Sequence, residues 1–431
     1  MTPAYLSGNL APVPDEIDGH DLPVTGVLPP ELTGRYFRNG PNPRPGEDPG
    51  HWFAGHGMLH GVRLRDGRAE WYRNRWVKTK KFTEDAPLVT STGIDLTAGS
   101  ANTSVIRHAD RILALVETSF PHEVSRDLDT IGPVDFGGKL TTGMTAHPKQ
   151  DPITGELHFF GYGFFPPYLT YHRLSKAGEL VESKEIEVPG STMVHDFAIT
   201  EHFLVWLDLP LTFQLDRGGM PYAFDDAYGA RIGLTPRAGG TTTWFDVDPC
   251  YVFHVGNAYE DAQGRVVLSG ARYAPEVFKA VWGRIGGATD PASKAAVLGG
   301  AVLHRWTLDP ASGAAKEEAL DDRSVEFPTF NDDRMGLSSR YLYTVGDGAI
   351  VKYDDQTGSA LTLDVGGSAG EAVFVPAEGG TSEDDGWLMS IATSGESSRL
   401  LVHDAHDLKE VASVRLPRRV PAGFHGKWLE D

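Results

Sequence analysis

One cysteine, Cys250, stands in 431 residues, so no disulfide can form within the chain, and a reducing compartment is expected. Basic residues are also scarce. Against 59 Asp and Glu there are 39 Lys and Arg, a formal charge of −20. A phosphate backbone would be repelled over most of such a surface, which argues against a dedicated nucleic-acid binder. The same balance removes electrostatic attraction to anionic lipid. No apolar run approaches the roughly 18 residues that a spanning helix needs. The opening segment, MTPAYLSGNLAPVPDEIDG, has neither the basic stretch nor the long apolar run of a secretory signal. A soluble, cytoplasmic protein is the expectation. P-loop, HExxH, CxxC and GxGxxG are all missing, so the standard nucleotide and zinc signatures fail. Cys250 lacks a nucleophile signature and reads as a small buried hydrophobe.

What is present is apolar material in short pieces. Hydrophobic residues make 40% of the chain and aromatics 10%, with 50 Gly and 29 Pro. That is enough for a large core and too little Pro and Gly for disorder. Segments such as RILALVETSF, HFLVWLDLPLTF, RYLYTVGDG and GWLMSIATS alternate with turns that open on Asp and close on Gly. Asp151 to Gly155, Asp309 to Gly313 and Asp354 to Gly358 are examples, and this is the chemistry of short β-hairpin loops. The class is all-β, as a sandwich array or a radially repeated propeller. Helical pattern is confined to residues 274–300, where PEVFKAVWGRI and PASKAAVLG each fit a short helix. Phe278, Val281, Trp282 and Ile285 fall at helical spacing there, a face that packs on the rest of the fold or, as the alternative, makes peripheral membrane contact. No linker divides the chain, so residues 1–431 read as one domain with cap insertions near 38–58, 210–240 and 274–300.

Four of the 16 histidines stand out by context: His147 in TAHPK, His195 in VHDFAIT, His254 in FHVGNAYE and His425 in FHGKW. Each lies at the edge of a β-like segment. Their separations are 48, 59 and 171 residues, the last close to three times the others. In a propeller, positions one, one and three repeats apart would converge on the axis. Imidazoles converging from separate strands make a rigid site for Fe, Zn, Cu or Ni. A first shell without carboxylate or thiolate calls for acidic residues behind it, holding each ring's other N–H. Glu117, Glu326 and Glu371 are lone carboxylates in apolar strands, where they are costly unless hydrogen-bonded. The i, i+4 pair His56 and His60 is flanked by glycines, which argues against a helical metal pair. Asp404, between His403 and His406, reads as a polar strand end.

With these residues in place, the sequence resembles the carotenoid cleavage oxygenases, non-haem iron enzymes that include stilbene-cleaving members. The resemblance runs through YLSGNLAPVPDE, GRYFRNGPNP, HWFAGHGMLHGV, TAHPK, VHDFAIT, FHVGNAYE, EFPTFN, GEAVFVP, EDDGW and FHGKW. It implies a seven-bladed β-propeller with Fe(2+) on the axis, held by His147, His195, His254 and His425, and with Glu117, Glu326 and Glu371 behind them. A cap of loops and short helices over a tunnel is implied, as is O2-dependent cleavage of an apolar alkene to two carbonyl products. Phe53, Phe82, Val116, Phe120, Phe164 and Phe330 are the expected tunnel residues, with Phe165 and Phe374 beside the same motifs. Stilbene-cleaving members carry a Lys just before the first of these glutamates and a Tyr upstream, which together grip a phenol. Here those places hold Val116 and, in VKTKKFTED, Phe82. That loss points to a carotenoid or apocarotenoid rather than to a stilbene or phenylpropenoid; Lys139, in DFGGKL, is an alternative anchor that reads first as a surface lysine. His56 replaces the Asp of the family's GDGM turn. A propeller that only binds a ligand gives no reason for the histidines and glutamates. The resemblance leaves the oligomeric state open.

Overall fold

The computed structural model describes residues 2–91, 93–214, 220–286 and 299–431. Seven antiparallel sheets of four or more strands form a seven-bladed β-propeller, and alternating burial along the strands fits each one to its neighbours. Blade 1 is built on Gly34–Pro41, Gly57–Arg65 and Arg68–Trp76. Blades 2 to 6 follow in chain order, with innermost strands Ser104–His108, Lys149–Gln150, Phe197–Ile199, Tyr251–Glu260 and Glu326–Thr329. Blade 7 contains Val373–Pro376, Gly386–Ser394, Ser397–Asp404 and Glu410–Arg415.

Both chain ends close the ring. Gly426–Glu430 is the innermost strand of blade 1, paired with Gly34–Pro41. Val24–Gly26 is the outermost strand of blade 7. One core packs blade 1 against blade 7, with Tyr36, Val62 and Tyr72 meeting Met389, Leu400 and Val414, and Trp428 joins it. Leu429 enters the next core, between blades 1 and 2.

The final residue locks this closure. Asp431 pairs with the buried Arg63 and with Arg35, the latter at 2.5 Å. The Arg63 guanidinium, with Arg35, holds the Asp431 carboxyl well below its ordinary range despite partial burial. Asp431→Asn should therefore lower stability by about 1 kcal/mol at neutral pH, a value discounted for an exposed pair. A depressed carboxyl stabilises above its ordinary pKa and loses that contribution as pH falls through the depressed value. The difference between the two proteins in urea should thus shrink in acid.

The expected insertions are shorter than drawn. Residues 38–41 lie in a blade strand, paired against Gly57 to His60, so only 42–56 leave the sheet. Asn-Gly-Pro reads as a loop in sequence, yet here it occupies a strand end. In 210–240 the hairpin Leu211–Phe213 with Tyr222–Phe224 stands off the blade, while Arg231–Pro236 returns to it. PEVFKAVWGRI forms the helix α1, Pro275–Ile285. Pro275 at its first position, Glu276 in the first turn and Arg284 in the last suit the helix dipole. PASKAAVLG lies almost wholly in residues 287–298, outside the described residues. The α1 stripe is not a membrane face. Phe278, Val281, Trp282 and Ile285 are buried, and Phe278 packs on Tyr251, Phe253 and Tyr273. A stripe that meets a core and one that meets lipid share the same periodicity. Among the described residues no helix is long and apolar enough to cross a membrane.

Candidate metal centre

The four histidines reach the axis from four blades. His147 precedes the inner strand of blade 3, His195 that of blade 4, and His425 that of blade 1, while His254 lies within that of blade 5. From blade 5 to blade 1 is three blades around the ring, which is the origin of the long third interval.

Local devices aim each ring. Phe253 and His254 stand opposite a single partner residue in the ladder, a bulge between Val252 and Val255 that turns the side chain out of the strand. A second bulge follows Glu326. There Phe327 adopts φ 52°, a left-handed conformation that costs a bulky residue roughly 1–3 kcal/mol. In return its ring stacks on His254 at 4.8 Å and edges His425 at 5.3 Å. His425 is held through the RNGPNP motif: Asn39 N–H donates to the His425 carbonyl, and the Asn39 amide donates to Ala101 and Ser104. Gly423 is required beside it, because a Cβ there would fall 2.0 Å from the buried Arg38 guanidinium. Asp196, 3% exposed, ties three blades together. It accepts from Phe197 N–H and Val255 N–H and pairs with Lys149 Nζ at 2.8 Å, two residues from His147.

The four Nε2 atoms converge. His147 and His195 Nε2 are 3.1 Å apart, His195 and His254 3.3 Å, and His254 and His425 3.1 Å. On the far side of the rings, His254 Nδ1 lies 2.6 Å from Glu326 and His425 Nδ1 2.8 Å from Glu371, and His195 Nδ1 is on Glu117. Each carboxylate fixes the ring proton on Nδ1, so each Nε2 presents a lone pair. Lone pairs this close repel. A cation resolves the arrangement. The all-imidazole donor set with carboxylates behind it fits a first-row divalent metal, and His147, His195 and His254 form a cluster of metal-binding geometry. Burial, and then the neighbouring imidazoles, pull His147 and His254 far below the usual imidazole pKa. Burial acts the same way on His195, but Glu117 more than offsets it and raises that pKa. Burial pushes Glu326 up to about 7, although Phe327 N–H opposes it.

A cavity of about 370 Å³ includes His195, His254 and His425 in its wall, within the usual size of small-molecule sites. Phe53, Val116 and Phe164 line it, with Met193, Phe253 and Phe424. Polar groups in the wall include Lys81, Ser100, Asn102, Glu117 and Tyr162. A second void of about 170 Å³ touches His147, His254, His425 and Glu371 with Lys149 and Asp196, so the histidines stand between two cavities.

Three of the expected lining residues fall elsewhere. Phe82 stacks on Trp76 at 5.6 Å, Phe120 packs into the core between blades 2 and 3, and Phe330 is buried in the blade 6 core and borders the second void. Their closeness to motifs in sequence did not give the strand face they occupy. Phe374 also borders the second void, and Phe165 is 71% exposed. Lys139 is exposed. His60 is paired with Tyr72 and His56 with Glu47, so they do not form a metal pair. Burial raises the Cys250 thiol to about 12, which makes it unreactive. The sequence reading missed Lys81 and Tyr162. The only signal for Lys81 was its place beside Phe82.

Comparison with known proteins gives a consistent pattern. The family model described as retinal pigment epithelial membrane protein matches residues 10–430. The carotenoid cleavage oxygenase of Mycobacterium tuberculosis is 39% identical, covering 98% of this chain and 97% of its own. The carotenoid 9,10(9',10')-cleavage dioxygenase of Crocus sativus is 35% identical, covering 99% and 89%. Among solved structures, cobalt-substituted Synechocystis apocarotenoid oxygenase superposes with a TM-score of 0.84 at 28% identity, over 97% of both chains. The Pseudomonas brassicacearum lignostilbene dioxygenase superposes at 0.88 and 28% identity, over 100% and 99%.

Proposed function

The chain belongs to the carotenoid cleavage oxygenase family, and on that premise we propose that it is an Fe(II) dioxygenase cleaving a C=C bond of a carotenoid or apocarotenoid. One alkene and one O2 give two carbonyl products. The observation that carries this reading is the convergence of four Nε2 atoms beside an apolar cavity. His147, His195, His254 and His425 would hold the iron, which supplies the O2 activation that no side chain here can provide. The chain's own residues do the rest. Glu117, Glu326 and Glu371 keep the protons on Nδ1 and leave Nε2 as donor. Phe53, Val116, Met193, Phe253 and Phe424 bury the polyene by area, at about 25 cal/mol per Å². The same wall excludes water and fixes the double bond beside the metal.

A second reading, cleavage of a phenolic aryl-alkene, is favoured by one feature, Lys81. Its Nζ donates to Ala54 O at 2.6 Å and Ser100 Oγ at 3.0 Å. Its third N–H has no protein acceptor among the described residues, and Lys81 borders the cavity. It can receive the oxygenated end of an apocarotenoid or a phenol. Val116, in the same wall, favours the polyene. The test is O2-dependent turnover of an apocarotenal and of resveratrol by the iron-loaded protein. The apocarotenal alone should be cleaved, and Lys81→Met should cut its kcat/KM about 10-fold or more, the worth of one charge-assisted hydrogen bond. Cleavage of resveratrol alone, lost in Lys81→Met, selects the second reading.

A further inference from the structure

The three carboxylates behind the histidines are not held alike. Glu326 Oε2 takes both His254 Nδ1 and Phe327 N–H, the latter at 2.7 Å. Glu371 Oε2 accepts from Gly426 N–H at 2.7 Å while Oε1 faces His425. Both are therefore fixed by backbone at the propeller axis. Glu117 differs. Its Oε1 is on His195 Nδ1, and its Oε2 accepts from the phenol of Tyr162 at 2.6 Å. Among the described residues this phenol is the hydrogen-bond partner of the second oxygen, and no backbone N–H takes that place.

Tyr162 ends the blade 3 strand Leu157–Tyr162. Its ring belongs to the cavity wall, beside Phe164 and edge-on to Tyr222 at 6.5 Å. Its phenol is withdrawn from water, and burial followed by Glu117 drives its pKa far above the usual tyrosine value. It is thus a neutral, permanent donor. One residue touches both the space a substrate would fill and the carboxylate that sets the basicity of His195.

We propose that Tyr162 is a positioning residue that couples occupancy of the cavity to the metal centre through Glu117 and His195. An occupant pressing on the ring re-aims its O–H. The Glu117 carboxylate responds, because among the described residues neither of its oxygens accepts a backbone N–H, and the His195 donor strength follows. Glu326 and Glu371 accept backbone N–H groups and offer an occupant no such side-chain route to His254 and His425. The inference rests on the reading of the four histidines as a metal site.

Tyr162→Phe keeps the ring and removes only the hydroxyl. The protein is loaded anaerobically with Co(II), and its visible bands are recorded with and without saturating trans-stilbene, an alkene transparent in that range. Wild type should bind one Co(II) and shift its bands when stilbene enters. The variant should bind Co(II) about 10-fold more weakly and lose most of the stilbene-induced shift. Stilbene affinity, read by quenching of tryptophan fluorescence, should stay within about 2-fold, since the ring remains. An equal shift in the variant overturns the proposal, as does a wild type that binds cobalt without any shift. A variant that no longer loads cobalt also overturns it, because the hydroxyl would then maintain the site rather than report on the cavity. Wild type that binds no Co(II) at all refutes the metal-site reading itself, a separate outcome.

Discussion

His254→Ala, purified and loaded with iron without oxygen, should bind metal at least about 100-fold more weakly than wild type and cleave no alkene. Of the four histidines it is the most embedded. Its Nε2 lies within 3.3 Å of both His195 and His425, its ring is stacked under Phe327, and Glu326 holds its Nδ1. Removing it takes one donor and leaves Glu326, buried beside the axis, without its partner. The variant should nevertheless fold, because His254 sits at a bulge and makes no regular ladder contact there. Metal analysis and circular dichroism on one sample check both halves. Full metal content in this variant would place the ion elsewhere.

Truncation after Ala422 should have the largest effect on the fold. It removes His425, the inner strand of blade 1, and two core side chains, Trp428 and Leu429, from the cores on either side of that blade. Deleting one such side chain costs about 2–5 kcal/mol, against a total stability of about 5–15 kcal/mol. The five-residue strand Gly426–Glu430 also leaves the Gly34–Pro41 edge unpaired. No folded monomer is expected, and loss of the sigmoidal urea transition checks it. A truncated chain that unfolds cooperatively would mean that Val24–Gly26 alone closes the ring.

The candidate site was more legible than the cavity around it. Each histidine carries its own local signal, a strand edge with a small, polar or proline neighbour, and the ring converts a regular interval along the chain into a common axis. Glu117, Glu326 and Glu371 were visible because a lone carboxylate in an apolar segment needs a partner, although only Glu326 lies within a strand. The wall of the cavity was not visible in this way. Lys81 and Phe82 are adjacent in one short helix, Lys80–Glu84, where one residue is about 100° of rotation. Lys81 reaches the cavity while Phe82 lies on Trp76. Phe120 and Phe330 are aromatic and near motifs, yet face blade cores. Asp196 was hidden differently: it stands next to His195 in sequence, but its partners Lys149 and Val255 lie on other blades. Only the closed ring brings them together. The α1 stripe shows the same limit, because periodicity fixes a face without naming what covers it.

The most direct test of the central claim is anaerobic reconstitution with Fe(II), followed by one exposure to O2 in the presence of an apocarotenal. The expected result is one iron per chain and two carbonyl products for each alkene consumed. Iron bound at that ratio with both the apocarotenal and O2 left unchanged would contradict the account.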